Sequence, residues 1–362
     1  MTSPTTALAP SVGGCQPGLD AYLRAHYGEA PFRATRLDGG RNSRVYRVDF
    51  AAGRPTSIVV KHYHLDPQDG RDRLGTEFSA LSYLARHGVD VVPGPLFADR
   101  EAGFATYGLI EGDPVDGPPS PGQVGSVIAF CALLRELSGR DDNDFFVPAS
   151  EAFFTTRDLL GNLKARRARL DGVAPASAPA SAMLDLLRRR FDPLLRAYQA
   201  RLRERGPNGA SVLNAHVPRE QRVLSPSDFG FHNALRRPDG TLAFLDFEYF
   251  GWDDPAKLVC DFVLHPHPKM ALESSLRCRF LEGAVRALGP ATDRANVLLT
   301  LFCLKWSLIL LNEFNAADAR RREFALDGSL EHRLTHQLDK SRAMFRRAEA
   351  AFAAYPYSLE SL

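Results

Sequence analysis

Residues 222–261 read RVLSPSDFGFHNALRRPDGTLAFLDFEYFGWDDPAKLVCD, and the fold is decided in this stretch. Asp228 and Asn233 stand five positions apart near its start, separated by two phenylalanines, a glycine and a histidine. A tight loop of this length can aim a carboxylate and an amide side chain into one cleft. The first half of the stretch therefore predicts one acidic and one neutral oxygen donor for a shared ligand.

The second half predicts a turn, a short strand and two more carboxylates. Pro238-Asp239-Gly240 is a turn signal, and the apolar run at 241–245 has the length of a buried strand. Asp246 and Glu248 follow at the end of that strand. Carboxylates beside an amide suit Mg²⁺, which prefers a few protein oxygens plus substrate phosphates to an all-protein cage. The whole stretch is therefore typical of phosphoryl transfer.

Composition limits the function classes. The 362 residues include 45 basic and 43 acidic side chains, a net charge of +2, and 44% are hydrophobic. These values are those of ordinary globular proteins, and the near-neutral charge lacks the basic excess of proteins that bind nucleic acid or anionic membranes. A chain of this length makes two domains or one two-lobed unit. We therefore expect a globular protein with no nucleic-acid partner and no membrane association.

The cysteines and the N-terminal residues indicate a cytoplasmic protein. The five cysteines are scattered and never form a CxxC pair, so they predict neither a disulfide framework nor a zinc site. Residues 1–16 lack the basic start and apolar run of a signal peptide and predict a disordered tail. The longest apolar stretch, 297–311, is shorter than the roughly 18 residues of a membrane span and favours a core helix.

The N-terminal part predicts strands around a glycine-rich bend. The alternating stretch 45–50 and the β-branched stretch 57–60 are typical of strands, and Gly39-Gly40 precede them. Two glycines let backbone N–H groups approach a phosphate, although Gly-Gly in a hairpin is more often only a turn. Lys61 ends the second of these strands, where its charge can meet a phosphate or a carboxylate.

A helix with one acidic residue on its buried side follows. The apolar residues between 73 and 87 recur at helical spacing, and this places Glu77 on or beside the buried face. A buried carboxylate needs a cation, and Lys61 is the nearest candidate at a strand end. The sequence therefore predicts a pair between Lys61 and Glu77.

The chain changes character near residue 112, where a Gly- and Pro-rich stretch begins. We predict a nucleotide-binding N-terminal lobe at 17–112 and a catalytic and substrate-binding lobe at 113–362. Apolar periodicity in the second lobe predicts helices at 123–137, 151–170, 182–204, 271–288, 293–316 and 331–354.

Taken in order, these features resemble the aminoglycoside phosphotransferase and choline kinase family over residues 36–261. The resemblance implies an α+β class with a bilobal protein-kinase-like fold, in which a small β-rich N-lobe precedes a larger, mostly helical C-lobe. The family signature is a glycine-rich hairpin, a strand lysine, a helix glutamate, HGDxxxxN and D-x-D/E. The matching residues here are Gly39, Gly40, Asn42 and Ser43 in the hairpin, then Lys61, Glu77, Asp228 with Asn233, and Asp246 with Glu248.

The resemblance also implies a role for each position, namely ATP- and Mg²⁺-dependent transfer of a phosphate to a hydroxyl group. Asp228 would orient or deprotonate the acceptor, and Lys61, held by Glu77, would contact the nucleotide phosphates. The metal ligands would be Asn233, Asp246 and Glu248. The hairpin residues would cover the phosphates, and the backbone around Gly108 and Ile110 would pair with adenine. The choice between ATP and GTP stays open.

The sequence departs from the family at two places. Pro226-Ser227 stands where the family has His-Gly, and serine resists the backbone shapes that glycine tolerates, so we expect a different loop path before Asp228. Asp261 lies about one helical turn later than the usual family acid, and we expect it to be a cap or an internal pairing partner. His265 and His267, in the sequence HPHP, have no third ligand nearby in sequence and favour a loop over a metal site.

The acceptor is the least specified part. Lys305 and Asn312 stand seven positions apart on a predicted helix, with Glu313 beside them, so these three are candidate substrate contacts; a plain core helix explains them equally well. The last hundred residues lack the acidic cluster that a polycationic aminoglycoside requires. We therefore favour a sugar or another hydroxylated metabolite.

Two alternatives remain on sequence grounds. Pro226 and Ser227 leave open a nucleotide-binding pseudokinase that acts as a regulatory module. The same groups could also transfer AMP to a protein or phosphorylate one, although no activation segment follows Asp246.

Overall fold

The computed structural model describes residues 18–37, 43–51, 53, 55–65, 70–204, 207–289, 291–315 and 330–354. It has mixed α+β architecture, as the sequence predicts. The chain divides into two compact units, Met1–Asp113 with Leu235–Tyr249, and Pro114–Ala234 with Phe250–Leu362. The predicted boundary at residue 112 left the segment Leu235–Tyr249 in the second lobe, whereas this segment belongs to the first unit.

The first unit contains a five-stranded antiparallel sheet with the strand order β1-β2-β3-β5-β4. The strands are β1 (Phe32–Leu37), β2 (Ser43–Phe50), β3 (Ser57–Tyr63), β4 (Pro95–Asp99) and β5 (Phe104–Gly108). Side chains alternate along β3, so Ile58 and Val60 are buried on one face while Lys61 and Tyr63 project from the other. The strand runs two residues beyond Lys61, where the sequence predicted its end.

Two helices accompany this sheet. Helix α1 (Leu19–Tyr27) buries Leu19 and Leu23 in the same hydrophobic core as Ile58 and Val60. Helix α2 (Arg73–Arg86) begins after Asp72, whose side chain accepts a hydrogen bond from the Gly75 N–H at 2.8 Å and caps the helix. Its buried face carries leucines together with Glu77, as the periodicity predicts.

The returning segment Leu235–Tyr249 is hydrogen-bonded into the first unit. It carries most of β8 (Ala234–Arg236) and all of β9 (Leu242–Phe244), the strand predicted after the Pro-Asp-Gly turn. The backbone N–H of Phe244 donates to the carbonyl of Val91 at 2.8 Å, and the Arg237 guanidinium donates to the carbonyl of Asp90. These bonds explain why a segment distant in sequence joins this unit. A two-residue strand, β6 (Asp113–Pro114), ends the first part of the unit.

The second unit is mostly helical. Its helices are α3 (Pro121–Ser138), α4 (Thr156–Ala168), α5 (Ala178–Leu186), α6 (Asp192–Glu204), α7 (Pro207–Asn214), α8 (Pro255–Leu264), α9 (Ser274–Leu288), α10 (Ala291–Leu310) and α11 (Leu330–Ala353). A π-helical turn, Leu187–Phe191, joins α5 to α6, and β7 (Val223–Ser225) pairs with β10 (Gly251–Asp253). Ser120 and Gln123 form a capping box that fixes the start of α3.

The most apolar helix is a core element. The stretch Asp293–Phe314, which overlaps α10, is long and apolar enough to cross a membrane, but most of it is buried inside the protein. The α-helix ends at Leu310, and Asn312–Phe314 form a 3-10 turn. The prediction that Lys305 and Asn312 share one helix face is therefore wrong, because the α-helical repeat stops between them.

Candidate active site

Lys61 and Glu77 form a buried ion pair in the first unit. The Lys61 ammonium donates to Glu77 Oε2 at 2.6 Å, and the two residues are only 8% and 2% exposed. Strand β3 and helix α2 supply one partner each, so the predicted pairing is confirmed. Burial disfavours the charged ammonium, but the attraction of Asp246 and Glu77 outweighs it and raises the pKa of Lys61 well above its usual value.

Two tyrosines that the sequence interpretation did not assign to this pair support Glu77. The Tyr63 hydroxyl donates to Glu77 Oε2 at 2.6 Å, and the Tyr107 hydroxyl lies 2.9 Å from that of Tyr63. Because the Tyr63 hydroxyl donates its only proton to the Glu77 carboxylate, the Tyr107 hydroxyl is the donor in the hydrogen bond between the two tyrosines. Tyr63 follows Lys61 by two positions in a strand, so its place on the same face could have been read from the period of two.

Asp246 approaches the same lysine. Its Oδ1 lies 3.1 Å from the Lys61 ammonium, and its side chain remains 37% exposed. The backbone of Asp246 has φ +67°, a left-handed conformation that is uncommon outside glycine. Glu248, by contrast, is buried, and its Oε1 lies 3.8 Å from Nε of the buried Arg73. Of the two predicted carboxylate ligands, Asp246 is the one open to a ligand, and the metal role of Glu248 stays a prediction.

A cavity of about 630 Å³ lies in the first unit beside the predicted nucleotide-binding backbone. Gly94, Gly108 and Ile110 line it. The Gly108 N–H donates to the Gly94 carbonyl at 2.7 Å, whereas Ile110 makes no backbone hydrogen bond with another described residue. Backbone groups near Ile110 are therefore available to a planar heterocycle. Ser43, also assigned to the nucleotide, begins β2, while Gly39, Gly40 and Asn42 lie outside the described residues.

The second unit holds Asp228 in a loop that begins at a left-handed serine. Ser227 has φ +67°, so it adopts a backbone shape that glycine tolerates and that serine takes only at a cost. Its hydroxyl donates to the Ser150 carbonyl at 2.9 Å and accepts from the Lys257 ammonium at 3.0 Å, and its N–H donates to Ser225 Oγ at 3.0 Å. These bonds offset the strain of about 1–3 kcal/mol that such a conformation carries.

The loop after Asp228 packs on the segment that carries the HPHP sequence. A Cβ added to Gly230 would lie 2.4 Å from Met270 Sδ, and the Phe231 N–H donates to that sulfur at 3.1 Å. A side chain at Gly230 would therefore force the end of the Met270 side chain to move. This contact places Met270 and its segment next to the loop that follows Asp228.

Asp228 meets two histidines in this arrangement. His232 Nε2 lies 2.9 Å and His265 Nε2 lies 3.5 Å from the same oxygen, Asp228 Oδ1. Burial opposes ionisation, but the imidazoles outweigh it and hold the pKa of Asp228 below its usual value. The Asp228 side chain is still 41% exposed. The sequence offered no third ligand near His265 and His267, but folding brings Asp228 and His232 to His265.

These three side chains would also be close enough to hold a metal ion, since their ligand atoms lie within 4.8 Å of one another. The hydrogen bonds argue otherwise. The backbone N–H of His267 donates to His265 Nδ1 at 3.2 Å, so Nδ1 carries a lone pair and the neutral ring holds its proton on Nε2. That proton faces Asp228. His265 therefore directs an N–H group at the carboxylate from 3.5 Å, and the expectation that the HPHP histidines form a loop without a metal stays a prediction.

Asn233 is oriented by the same loop. Its Nδ2 donates to the backbone carbonyl of Asp228 at 3.0 Å, and its N–H donates to the Gly230 carbonyl at 3.0 Å. Because the amide nitrogen is engaged, the side-chain oxygen is left as the free acceptor. This orientation fits an oxygen ligand, and the assignment of Asn233 to Mg²⁺ stays a prediction.

A second cluster of charges lies below the loop in the second unit. It consists of Asp253, Lys257, Asp261 and Lys305, all at most 8% exposed. The Lys305 ammonium contacts both oxygens of Asp261 at 2.7 and 2.8 Å, and Lys257 contacts Asp253 at 2.7 Å. The expected internal pairing of Asp261 is confirmed. Burial raises the pKa of Asp261, but Lys305 and Lys257 outweigh it, so the pKa is lowered.

The three candidate substrate residues differ in how far they are buried. Lys305 is buried and fully committed to Asp261, and Glu313 is buried, while Asn312 is half-buried. Their role as substrate contacts stays a prediction, and the geometry of Lys305 favours a structural role.

A family model described as the phosphotransferase enzyme family matches residues 33–298. No curated protein matches the sequence.

Solved structures show the same fold. A spectinomycin phosphotransferase, determined with ADP and spectinomycin, matches with a TM-score of 0.60 at 12% identity, covering 91% of this chain and 96% of that one. A choline kinase from Streptococcus pneumoniae matches at 0.55 and 14%, covering 93% and 98%. A choline/ethanolamine kinase family protein from Mesorhizobium loti matches at 0.54 and 18%, covering 92% and 97%. The fold is thus that of the protein-kinase-like small-molecule kinases.

Proposed function

Because the chain belongs to the phosphotransferase enzyme family, we propose that it transfers the γ-phosphate of ATP to a hydroxyl group of a small molecule. The observation that carries the proposal is the buried Lys61, which Glu77 and Asp246 hold from two sides at 2.6 and 3.1 Å. A lysine kept charged in this way is suited to nucleotide phosphates, as in kinases.

The nucleotide fits the first unit. The 630 Å³ cavity lies within the range of pockets that take small molecules, and Gly108 and Ile110 are among the residues that line it. Lys61 follows on a strand adjacent to β5, which ends at Gly108. The comparison protein determined with ADP, a spectinomycin phosphotransferase, shares this fold. ATP is our choice, and GTP is the competitor to include in the assay.

Mg²⁺ fits the donor set at Asp246. This carboxylate is partly exposed and offers a hard oxygen, the ligand type that Mg²⁺ prefers. When bound, the ion would neutralise charge on the phosphates. Asp246 would hold it, the sequence assigns Asn233 to it as well, and Lys61 would keep the Asp246 side chain in place.

In this proposal, Asp228 orients the acceptor hydroxyl and accepts its proton. Its carboxylate is ionised, 41% exposed, and approached by the imidazoles at Oδ1 only. None of the described residues donates a hydrogen bond to Oδ2, so this oxygen can accept one from a hydroxyl group. A positioned carboxylate of this kind orients the hydroxyl and accepts its proton during transfer.

The acceptor class follows from the charges around Asp228. The titratable groups that contact it are the imidazoles of His232 and His265, and the buried acid Asp261 of the same unit is already paired with two lysines and Trp306. A polycationic acceptor would need several unpaired carboxylates. We therefore propose a sugar or another hydroxylated metabolite in preference to an aminoglycoside.

The pseudokinase alternative has less support. It rested on Pro226 and Ser227, and Ser227 adopts its left-handed shape with three hydrogen bonds that keep the loop in place. The groups expected for turnover, Lys61, Glu77 and Asp228, are all paired or oriented rather than replaced. These observations favour an active enzyme.

The test is a nucleotide-consumption assay with Mg²⁺, ATP or GTP, and a panel of sugars, amino alcohols, nucleosides and aminoglycosides. Mass spectrometry would detect a product that gains one phosphate. Asp228→Ala should lower turnover by ~10²–10⁴-fold while nucleotide binding is kept, since a catalytic base contributes about that much. Phosphate gain by aminoglycosides alone would refute the proposed acceptor class, and tight nucleotide binding with no product from any acceptor would favour the pseudokinase.

A further inference from the structure

Two imidazoles converge on one oxygen of Asp228, and neither is explained by the family signature. His232 reaches Oδ1 from the catalytic loop at 2.9 Å, and His265 reaches it from the end of α8 at 3.5 Å. The two rings stack with centroids 4.1 Å apart and planes 13° apart. Stacked rings can aim their Nε2 atoms at the same point, so the carboxylate is approached by a pair of parallel donors.

The protonation of His265 is set by its surroundings. The His267 N–H donates to His265 Nδ1, which leaves the proton on Nε2 towards Asp228. Burial lowers the pKa of His265 and Asp228 offsets this only in part, so the ring stays neutral at physiological pH. A neutral Nε2–H ring is a fixed hydrogen-bond donor. His265 therefore stabilises the carboxylate without neutralising its charge.

His265 is itself held in place through the buried charge cluster. Its ring meets the Trp306 ring edge to face, with centroids 4.9 Å apart, and the Trp306 Nε1–H donates to Asp261 Oδ1 at 2.8 Å. On the other side, Lys257 lies 3.4 Å from Asp261 and donates to Ser227, the residue before Asp228. Asp261 is thus linked through Lys257 to Ser227, which precedes Asp228, and through Trp306 to His265, whose ring lies beside the Asp228 carboxylate.

We propose that His265, together with His232, is a positioning residue for the phosphoryl-transfer step: the two imidazoles hold Asp228 by Oδ1 and leave Oδ2 for the acceptor hydroxyl. This inference rests on the proposed function. His265 does not contact the acceptor in this scheme; it acts through Asp228. Correct placement matters because a misplacement of about 1 Å can lower a rate by about 10²-fold.

The test uses His265, because His232 adjoins Asn233, a predicted metal ligand. His265→Ala should lower kcat by ~10–100-fold while the KM for nucleotide changes less than about twofold, since the first unit is untouched. Added imidazole should restore part of the lost kcat by refilling the site. His265→Gln, which offers an N–H donor at a similar reach, should retain more activity than His265→Ala.

His267→Ala is the matched control. This histidine lies in the same segment, and its ring lies near those of His232 and His265, but its hydrogen bond to His265 is made by its backbone N–H, which the substitution keeps. It should therefore retain kcat within about threefold. An equal loss in both variants, or a loss in His265→Ala that imidazole and His265→Gln do not relieve, would overturn the positioning role in favour of simple packing.

A second readout is independent of turnover. Ring ¹⁵N chemical shifts of His265 should show the neutral tautomer with the proton on Nε2, and Asp228→Asn should shift them because the acceptor charge is removed. A proton on Nδ1 would overturn the inference. If the wild-type protein transfers phosphate but His265→Ala keeps its kcat, the inference fails and the proposed function stands. If the wild-type protein transfers none, the proposed function fails, while the tautomer still tests the hydrogen bonds.

Discussion

Two buried charge clusters, one in each unit, use the same side-chain chemistry for different ends. In the first unit, Lys61 and Glu77 are buried but Asp246 is 37% exposed. In the second unit, Asp253, Lys257, Asp261 and Lys305 are all sealed, with side chains at most 10% exposed. The first cluster keeps one charge available to a ligand, whereas the second satisfies its charges internally.

If the proposed function is right, the exposure of the charged groups, and not the presence of a charged pair, distinguishes the proposed nucleotide site from the structural cluster. A sealed cluster loses stability when one partner is removed, because the remaining charge is buried without compensation. An open cluster loses function instead, since water can solvate what is left. The following experiments challenge that distinction, starting with the largest expected effect.

Asp261→Ala should lower the free energy of unfolding by about 3–5 kcal/mol, because it removes the carboxylate that Lys305, Lys257 and Trp306 share. Urea unfolding monitored by circular dichroism measures the change. Glu136→Ala, which breaks the exposed pair with Arg140, is the control and should cost less than about 1 kcal/mol.

Equal costs for Asp261→Ala and Glu136→Ala would contradict a sealed cluster. Lys305→Met adds a check on the predicted substrate role of Lys305. A rise in KM for the acceptor without loss of stability would support the prediction that Lys305 contacts the substrate.

Asp246→Ala should lower turnover by at least about 10²–10³-fold, the usual effect of removing one preorganised electrostatic group, and leave the melting temperature nearly unchanged. The reason is that Lys61 keeps Glu77 as a partner at 2.6 Å. Turnover and thermal unfolding are measured on the same preparation. A fall in stability comparable to that of Asp261→Ala would mean that Asp246 belongs to a structural cluster.

The sealed cluster should also respond to pH. Burial raises the pKa of Asp253 from 3.8 to about 6, although Lys257 opposes part of this shift. The folded state therefore holds this proton where the unfolded state has released it, so the contribution of Asp253 to stability falls as pH rises from about 4 to 6. The fall is about 1.4 kcal/mol for each pH unit spanned.

The comparison is urea unfolding of wild type and Asp253→Asn between pH 4 and 7. The wild-type free energy of unfolding should fall relative to that of the variant across the window. Parallel curves would show that Asp253 is ionised throughout.

The smallest effect is expected at Tyr63. Tyr63→Phe removes one donor to Glu77, which still accepts from Lys61, so stability should fall by about 1 kcal/mol. Tyr46→Phe in β2, on the face of the sheet that packs with Ile58 and Val60 rather than with Lys61, serves as the control. A loss of several kcal/mol would mean that the open cluster depends on Tyr63 as the sealed one depends on Asp261.

The parts of the site that depend on motif order, helical period and residue charge could be predicted from the sequence. The order of Lys61, Glu77, Asp228, Asn233, Asp246 and Glu248 predicted the family, and the family model and fold confirm it. Helical period placed Glu77 on the buried face of α2, and its pairing with Lys61 followed from charge alone. The left-handed Ser227 was not predicted, because the hydroxyl partners that hold it, Ser150 and Lys257, are 77 and 30 residues away.

By itself the sequence determined the α+β class, the phosphotransferase family and the residues that carry charge, because these depend on residue type, periodicity and short spacing. Only the tertiary structure decided which charges are open and which are sealed. From the sequence, Lys305 was a candidate substrate contact, whereas in the structure it is buried against Asp261. From the sequence, His265 was a loop residue without a partner, whereas in the structure it lies beside Asp228. The physical reason is that exposure and hydrogen-bond partners arise from packing between distant segments, and a linear pattern records neither.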